Sequence, residues 1–361
     1  VGSGIIGSSI AYHMSRRGAE VILFEKTRPA AGATENSFAW INATFVKRPY
    51  HYHRLNRLGS EGWLHLDREM SGTLNLQWTG GVVWCDDPEK ARELERQVEC
   101  HQAWGYPTHI IQREELMSLE EHIVPGPILA AAYCEYEGSV DPVHATQILV
   151  TQARENGARF ECPCTVLGLD IRSGRLHGVK TTLGDVEVDT LVVAAGVDTP
   201  RLGAMAGLQV PMKNSRGLLA HTIPTSPLVK HVVHAPGAII NQGQDGRIVT
   251  GIGFEDIPST DTSPEQGERI LDQAARFLPA IKETELERVT LGWRPTPLDG
   301  HPIVGFHDQA PDIYLAVMHS GVTLAPIIGQ LTTLEILDNV RVELLQDYCL
   351  SRFEKGASPT H

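Results

Sequence analysis

The chain contains 361 residues, more than one typical compact domain, which predicts two domains that share a core. Its net charge of −13 excludes general binding to nucleic acids or anionic membranes, because those partners require a basic surface. No apolar run approaches the roughly 18 residues of a membrane span. The six cysteines are scattered without C-x-x-C spacing, which predicts reduced thiols in a cytoplasmic protein and neither a metal site nor an intrinsic iron–sulfur centre.

The first 25 residues are predicted to form a turn, a helix and a strand. The turn contains three glycines at the spacing of the dinucleotide fingerprint, Gly2, Gly4 and Gly7. Gly2 permits the tight turn, Gly4 allows the backbone to approach a pyrophosphate, and Gly7 allows close packing of the helix. The helix N-terminus then faces the phosphates with its partial positive charge. Only Val1 represents the strand that should come first, so we expect further residues before it.

Glu25 ends the predicted strand "EVILFE", at the spacing that the fingerprint requires of an acidic residue. A carboxylate at this position accepts hydrogen bonds from ribose hydroxyls and repels a 2′-phosphate. The ligand is therefore predicted to be NAD or FAD rather than NADP. These residues alone leave NAD and FAD both open.

The middle of the chain is predicted to alternate strands and helices. Two helices begin at Pro88 and Pro142, each after an aspartate that can cap it. "GRLHGVKTTLGDVEVDTLVVAAG" is predicted to form three strands, and Asp245-Gly246 marks a hairpin in a later β-rich stretch. The last part again alternates strand and helix. The two kinds of structure are interleaved, so the chain should cross between domains several times.

Five segments carry a family resemblance. In chain order they are "PAAGATENSFAWINATF", "GSVDPVHATQILVTQARENGA", "LVVAAGVDTPRLG", "GWRPTPLDGHPIVG" and "AVMHSGVTLAPIIG". Together, over almost the whole chain, they resemble the D-amino-acid oxidase family of FAD-dependent oxidoreductases, which includes glycine oxidase, sarcosine oxidase and D-amino-acid dehydrogenase. The resemblance, and not the glycine turn, favours FAD over NAD.

The resemblance implies a mixed α/β fold of two interleaved domains. A Rossmann-like FAD-binding domain would comprise residues 1–48, 139–210 and 299–361. A β-sheet substrate-binding domain that carries helices would comprise residues 49–138 and 211–298 and would cover the flavin.

The resemblance also implies a set of cofactor-binding positions. In chain order they are Gly2, Gly4, Ile6, Gly7, Glu25, Lys26, Thr34, Asn36, Ser37, Val166, Ala195, Gly196, Gly321, Val322, Thr323 and Leu324. For Val166 and Ala195, plain core packing is an equally good interpretation. Gly292 stands where family members with covalent flavin carry a cysteine, so we predict non-covalent FAD.

The segment "SGVTLAPIIG" is predicted to contain a helix start at Pro326, with Gly321 to Ala325 as the preceding turn. A helix N-terminus aimed at the flavin would stabilise negative charge on the reduced ring. The turn is shorter than in glycine oxidase-like sequences, which leaves its flavin contacts open.

Two residues are predicted to be catalytic and substrate-binding. At the position of Arg294, the family uses an arginine to bind the substrate carboxylate, and a planar guanidinium can do so through two parallel hydrogen bonds. The alternative is a structural arginine paired with Asp299 or another acid. His319 would lie next to the flavin and contact substrate or cofactor, and a core histidine is its alternative.

Further substrate contacts are predicted just after the pyrophosphate loop. Trp40 and Asn42 would line the flavin face, and Tyr50 and Tyr52 would reach the site from the cluster "KRPYHYHR". That cluster is locally basic and would attract an anionic substrate, although a solvated face explains it equally well.

The resemblance implies FAD-dependent oxidation of a C–N bond in an amino acid or a related N-substituted amine. A hydride would pass from the α-carbon to flavin N5, the imine would hydrolyse, and O₂ or another acceptor would take the electrons. Two alternatives stay open: oxidation of a 2-hydroxy acid, with His319 as base, and a flavin subunit of a hetero-oligomeric dehydrogenase. The expected partner is a small amino acid or amine, and the oligomeric state is left open.

Overall fold

The structure is a computed structural model, and it describes residues 1–253, 256 and 259–354. The last residues of the predicted 299–361 segment, 355–361, lie outside the described part. The helices are α1 (Ile5–Arg16), α2 (Tyr50–Glu69), α3 (Pro88–Ala103), α4 (Arg113–Leu119), α5 (Pro142–Glu155), α6 (Thr199–Met205), α7 (Pro264–Ala275) and α8 (Gly321–Leu337).

The strands lie between and around these helices. In chain order they are β1 (Ile22–Phe24), β2 (Trp40–Ile41), β3 (Leu76–Gln77), β4 (Gly81–Cys85), β5 (Thr108–Ile110), β6 (Ala130–Cys134), β7 (Gly138–Val140), β8 (Arg159–Glu161), β9 (Val166–Arg172), β10 (Arg175–Thr181), β11 (Gly184–Glu187), β12 (Leu191–Val193), β13 (Ser215–Thr222), β14 (Val232–Ala235), β15 (Ala238–Gln242), β16 (Ile248–Gly251), β17 (Leu286–Arg294), β18 (Ile303–His307) and β19 (Ala310–Val317).

Parallel strands surround the start of the chain. β1 pairs with β8, and β12 pairs with β19, in both cases parallel. Val1 joins the two pairs, because its amine donates to Val192 O and its carbonyl accepts from Ala194 N, while Gly2 N donates to Phe24 O. The glycine turn therefore begins between two parallel strands, at the carboxyl ends where nucleotides bind in sheets of this kind.

Three helices pack together behind that turn. α1 lies against α5 and α8, and small residues bring the helices close. A Cβ on Gly329 of α8 would overlap Ser9 and His13 of α1, and Ser9 Oγ donates to Ala325 O at 2.6 Å. α2 approaches the other side of α8, where a Cβ on Gly59 would lie 2.5 Å from Thr323 O. The start of α8 is thereby held on two sides.

The predicted start of α8 is wrong by five residues. The helix begins at Gly321, and Pro326 lies inside it. A proline there has no N–H for the carbonyl four residues earlier, Val322 O. The indole of Trp63 replaces the missing donor, with Nε1 at 2.8 Å from Val322 O. The helix continues through the proline because α2 supplies this hydrogen bond.

A second, larger sheet has eight strands in the order β17-β13-β16-β15-β14-β4-β6-β5. Its strands all come from residues 81–134 and 215–294, within the two segments predicted for the substrate domain. α7 covers one face over a core that contains Trp84 and Phe277. α2 belongs to the same predicted segments but packs on α8, and the domain boundaries stay a prediction. None of the helices in the described residues is long and apolar enough to cross a membrane.

Candidate active site

The glycine turn has the close contacts that its sequence predicts. Gly2 has φ of +96°, and a Cβ on it would lie 2.5 Å from Ala194 O. A Cβ on Gly7 would overlap the carbonyl oxygen of Gly2. At Gly4 a Cβ would meet only Thr34 Oγ1, at 3.2 Å, so the backbone there is open to a ligand. The turn is therefore tight on its inner side and accessible on its outer side.

The start of α1 provides donors toward this accessible side. Ile5 N donates to Thr34 Oγ1 at 3.1 Å, which fixes the threonine over the helix N-terminus. The next amides, of Ile6 and Gly7, precede Ser8 N, the first donor of an intrahelical hydrogen bond, and point out of the helix end. Such amides, together with the helix dipole, stabilise the negative charge of a pyrophosphate.

Glu25 is a buried carboxylate at the end of β1. One of its oxygens accepts from Ser3 N and Ser3 Oγ at 2.9 and 3.0 Å, and the other from Thr27 N and Thr27 Oγ1 at 2.9 and 3.1 Å. These four bonds orient the carboxylate beside the glycine turn. The open turn, the amides of α1 and the oriented carboxylate fit an adenine dinucleotide.

Glycine contacts bring distant segments together around the turn. A Cβ on Gly321 would lie 3.4 Å from Ile6, and one on Gly292 would lie 2.8 Å from Asn36 O. Gly196, with φ of +56°, faces Pro295. Residues 1–7, 34–37, 194–196, 292–295 and 319–321 therefore converge, although up to 320 positions separate them along the chain.

Several predicted cofactor positions contact their own chain. Lys26 Nζ forms an exposed ion pair with Asp198 Oδ2 at 2.6 Å. Asn36 donates its amide to Gly32 O, and Ser37 Oγ accepts from Ala39 N. These contacts fix the loop after β1, and the contacts of these residues with a cofactor stay predictions.

Other predicted positions are partly or wholly in the core. The side chains of Val166, Val322 and Leu324 are buried in hydrophobic clusters, and Ala195 packs against the same cluster as Val166. Their backbone atoms, rather than their side chains, are the groups that a cofactor would meet. Val166 O already accepts from Arg201 at 3.3 Å.

Thr323 joins the start of α8 to the loop before α2. Its hydroxyl donates to Trp40 O at 3.2 Å and accepts from Asn42 N at 3.3 Å. Trp40 is buried against Phe38 in the core of the large sheet, and Asn42 Oδ1 accepts from Phe45 N. The structure thus assigns anchoring contacts to Trp40 and Asn42, and their substrate contacts stay predictions.

The two predicted tyrosines have different environments. Tyr50 is half exposed at the start of α2, with its ring 5.3 Å from that of Trp104. Tyr52 is buried, and its hydroxyl lies 3.0 Å from Ser320 Oγ, beside the start of α8. Only Tyr52 is brought to the converging segments.

Lys47 also reaches the start of α8. Its ammonium group donates to Ser320 Oγ at 2.5 Å and lies 5.4 Å from the centre of the Tyr52 ring. Lys47 is 7% exposed, whereas the adjacent Arg48 is exposed and pairs with Glu93. The basic cluster of the sequence is therefore divided between the interior and the surface.

Arg294 ends β17, an edge strand of the large sheet, and its side chain is 19% exposed. Its Nη1 lies 3.4 Å from Asp256 Oδ1, an oxygen that also accepts from Ser215 Oγ. Desolvation lowers the pKa of Arg294, and the charge of Asp256 partly offsets this effect. Asp299, the acid named as its alternative partner, instead binds Arg352 at 2.7 Å. Asp256 is thus the acid that contacts Arg294, and the carboxylate-binding role of Arg294 stays a prediction.

His319 precedes Ser320 and is solvent-exposed, although protein surrounds it on most sides. Desolvation, followed by the positive charges of Lys47 and Arg294, lowers the pKa of His319 to about 3. The exposed imidazole is therefore neutral at physiological pH. Lys47 and Arg294 lie close enough to act on the imidazole, and we call the region around these three residues the His319 cleft.

Glu137 is a buried carboxylate behind Trp40. It accepts from Trp40 Nε1 at 3.0 Å and from Thr44 Oγ1. Burial raises the pKa of Glu137 to about 7, in spite of these hydrogen bonds and the charge of Lys47. No group of three or more His, Cys, Asp or Glu side chains in the described part of the chain is arranged to hold a metal ion.

The arrangement defines a dinucleotide-binding protein in which Lys47 and Arg294 act on the imidazole of His319. Residues 1–334 match the family model described as "FAD dependent oxidoreductase", abbreviated DAO, and the chain belongs to this family. The predicted family and cofactor are thus confirmed.

Curated relatives match over nearly the whole chain. Glycine oxidase of Bacillus subtilis (strain 168) is 27% identical over 96% of this chain and 94% of its own length. An opine oxidase subunit of Agrobacterium tumefaciens (strain Ach5) is 25% identical over 90% of this chain and 89% of its own length. Among solved structures, L-proline dehydrogenase from P. horikoshii superposes with a TM-score of 0.90, 26% identity and coverage of 98% and 96%.

Three residues of the cleft are not predictable from the sequence. The sequence places Lys47 only in a basic cluster, and it gives no reason to select Asp256 or Ser320. Nothing local in the sequence marks them, because their contacts join residues 273 and 38 positions apart.

Proposed function

We propose that this FAD-dependent oxidoreductase oxidises the C–N bond of an amino acid or an N-substituted amino acid. The observation that carries the proposal is the guanidinium of Arg294, which lies in the cleft of His319 and makes a long contact with Asp256. A guanidinium in these surroundings suits a substrate carboxylate, which can take two short hydrogen bonds from it. The names of the relatives glycine oxidase and L-proline dehydrogenase support the same substrate class.

FAD, when bound, supplies the two-electron acceptor for the hydride of the substrate carbon. The residues of the chain position the substrate. Arg294 holds the carboxylate, and the neutral ring of His319 can accept a hydrogen bond from the substrate amine. Fixing both ends of a small molecule orients its α-carbon and converts binding energy into rate.

A 2-hydroxy acid is less compatible with this cleft. Its oxidation requires a base for the hydroxyl proton, and the low pKa of His319 makes its imidazole a weak base. A flavin subunit that needs a partner chain is compatible with the fold, and one relative is named as a subunit. The cytoplasmic location rests on six free cysteines, and the location and oligomeric state stay predictions.

The test is bleaching of the bound flavin without oxygen by a panel of primary, secondary and N-methyl amino acids. Matched 2-hydroxy acids and the corresponding uncharged amines complete the panel. Bleaching by amino acids alone supports the proposal, and bleaching only by hydroxy acids overturns it. Repeating the reaction with O₂ on the chain purified alone shows whether turnover needs a partner.

A further inference from the structure

Among the described residues, Lys47 is a buried cation without a charged hydrogen-bond partner. In residues 1–253, 256 and 259–354, its ammonium group contacts the Ser320 hydroxyl and the face of Tyr52, and no carboxylate lies within 4 Å. Removing an ammonium group from water is costly unless a negative charge compensates it. A hydroxyl and an aromatic face compensate only part of this cost.

The carboxylate of Glu137 interacts with Lys47 but is poorly suited to compensate its positive charge. Glu137 is close enough for the two charges to interact, but its oxygens already accept from Trp40 and Thr44. Burial also keeps part of the Glu137 population neutral near pH 7. Glu137 therefore offsets the charge of Lys47 only in part.

The cleft itself is rich in positive charge. His319 is affected by the cations Lys47, Arg294 and Lys213 and by one anion, Asp256. Lys47 and Arg294, the first two charges to act on the imidazole, thus bring two positive charges to one region of a chain whose net charge is −13. A single substrate carboxylate bound by Arg294 neutralises only one of them.

We propose that Lys47 is a second substrate-binding cation of the His319 cleft, and that the preferred substrate is an amino acid with a second carboxylate. Dicarboxylic amino acids and N-(carboxyalkyl) amino acids have this chemistry. Lys47 would hold the second carboxylate while Arg294 holds the one next to the reacting carbon. The inference rests on the proposed function and narrows its substrate class.

The test compares ligands that differ by one carboxylate. Succinate and butyrate bind without reacting, and their dissociation constants are measured from the change in flavin absorbance of the holoenzyme. Succinate should bind at least tenfold more tightly than butyrate. Lys47→Met should abolish this preference and change butyrate affinity less than twofold, while Lys47→Arg should retain part of it. Lys180 is exposed on β10 and is not among the charges that act on His319, so Lys180→Met is the matched control and should leave the preference within twofold.

Each result decides the inference. Equal affinities in the unmodified enzyme overturn it, as does equal weakening of both ligands by Lys47→Met. Flavin content and the melting temperature of each variant identify misfolding. If Lys47→Met misfolds, the ligand preference of Lys47→Arg is compared with that of the unmodified enzyme instead. If monocarboxylic amino acids bleach the flavin as readily as N-(carboxymethyl)glycine, only this inference fails. If no amine bleaches it, the proposed function fails.

Discussion

At the scale of single residues, the cations Arg294 and Lys47 of the cleft are held in different ways. Arg294 keeps a long contact with Asp256, so a substrate carboxylate competes with a partner that is already present. Lys47 is hydrogen-bonded to a hydroxyl that carries no charge. Binding an anion should therefore depend strongly on both side chains, and for different reasons.

We predict that Arg294→Ala raises the KM for an amino acid about 100-fold, equivalent to about 2.7 kcal/mol. The corresponding uncharged amine should change less than threefold, because it makes no ion pair with the guanidinium. Steady-state kinetics on the two substrates measure the difference. Arg216 lies opposite Trp293 on the neighbouring strand, and Arg216→Ala is the matched control. Equal losses for both substrates would exclude the carboxylate role.

A second prediction concerns His101, which is 2% exposed and stacks on His53 with ring centres 5.2 Å apart. Burial, followed by the charges of His53 and Arg48, lowers the pKa of His101 to about 4. The unfolded chain, with a histidine pKa near 6.5, binds the proton more readily than the folded chain. Stability is therefore complete above pH 6.5 and falls as the pH drops toward 4.

Between pH 7.5 and 5, His101 alone should cost about 2 kcal/mol of unfolding free energy. His101→Phe should reduce the measured acid loss by this amount in urea titrations at both pH values. The exposed His65 provides the control His65→Phe, which should leave the acid loss unchanged. An unchanged acid loss in His101→Phe would contradict the burial effect.

At the scale of elements, α8 shows how a tertiary contact changes a local rule. Proline at a sixth helical position normally ends or kinks a helix. Here Trp63 donates to Val322 O, and Pro326 packs against Gly62 of α2. The first turn of α8 thereby stays helical at the site where it meets the converging segments.

This contact predicts energetic coupling between Trp63 and Pro326. Trp63→Phe leaves Val322 O without its donor and should cost about 1–3 kcal/mol beyond the loss of packing. In the Pro326→Ala background the loss should be smaller, because the amide restored at position 326 can bond to Val322 O. Urea unfolding of the four proteins measures the coupling. Trp84 donates to Pro125 O in the other core, so Trp84→Phe should show no coupling to Pro326→Ala.

Local signals in the sequence predict the starts of some helices correctly and the start of α8 incorrectly. The starts of α3 and α5 at Pro88 and Pro142 agree with prediction, because the cap and the proline act within four residues. The predicted helix start at position 326 is wrong, because the donor that compensates the proline lies 263 positions earlier. The glycine turn is predictable since its contacts are backbone contacts, whereas the burial of Lys47 depends on a contact with Ser320.

At the scale of the whole molecule, the cofactor site is assembled from both ends and the middle of the chain. The turn at Gly2, the loop at Thr34, the bend at Gly196 and the start of α8 meet there. A ligand that contacts all of them binds the folded state and not the unfolded chain. FAD should therefore stabilise the fold in proportion to its affinity, by about 2.7 kcal/mol at 100 times its dissociation constant.

Glu25→Ala tests this coupling, because the carboxylate binds Ser3 of the glycine turn and Thr27 after β1, and because we predict that it binds the ribose hydroxyls. We expect FAD affinity to fall at least tenfold, and the gap between the melting temperatures of the holo and apo forms to shrink. Fluorescence titration with FAD and thermal unfolding measure the two effects. Glu69 contacts Tyr12 and Arg16 near the far end of α1, so Glu69→Ala controls for loss of a carboxylate at that helix. A Glu25→Ala protein that retains FAD and the full melting gap would exclude the ribose role, since a purely structural carboxylate would destabilise both forms equally.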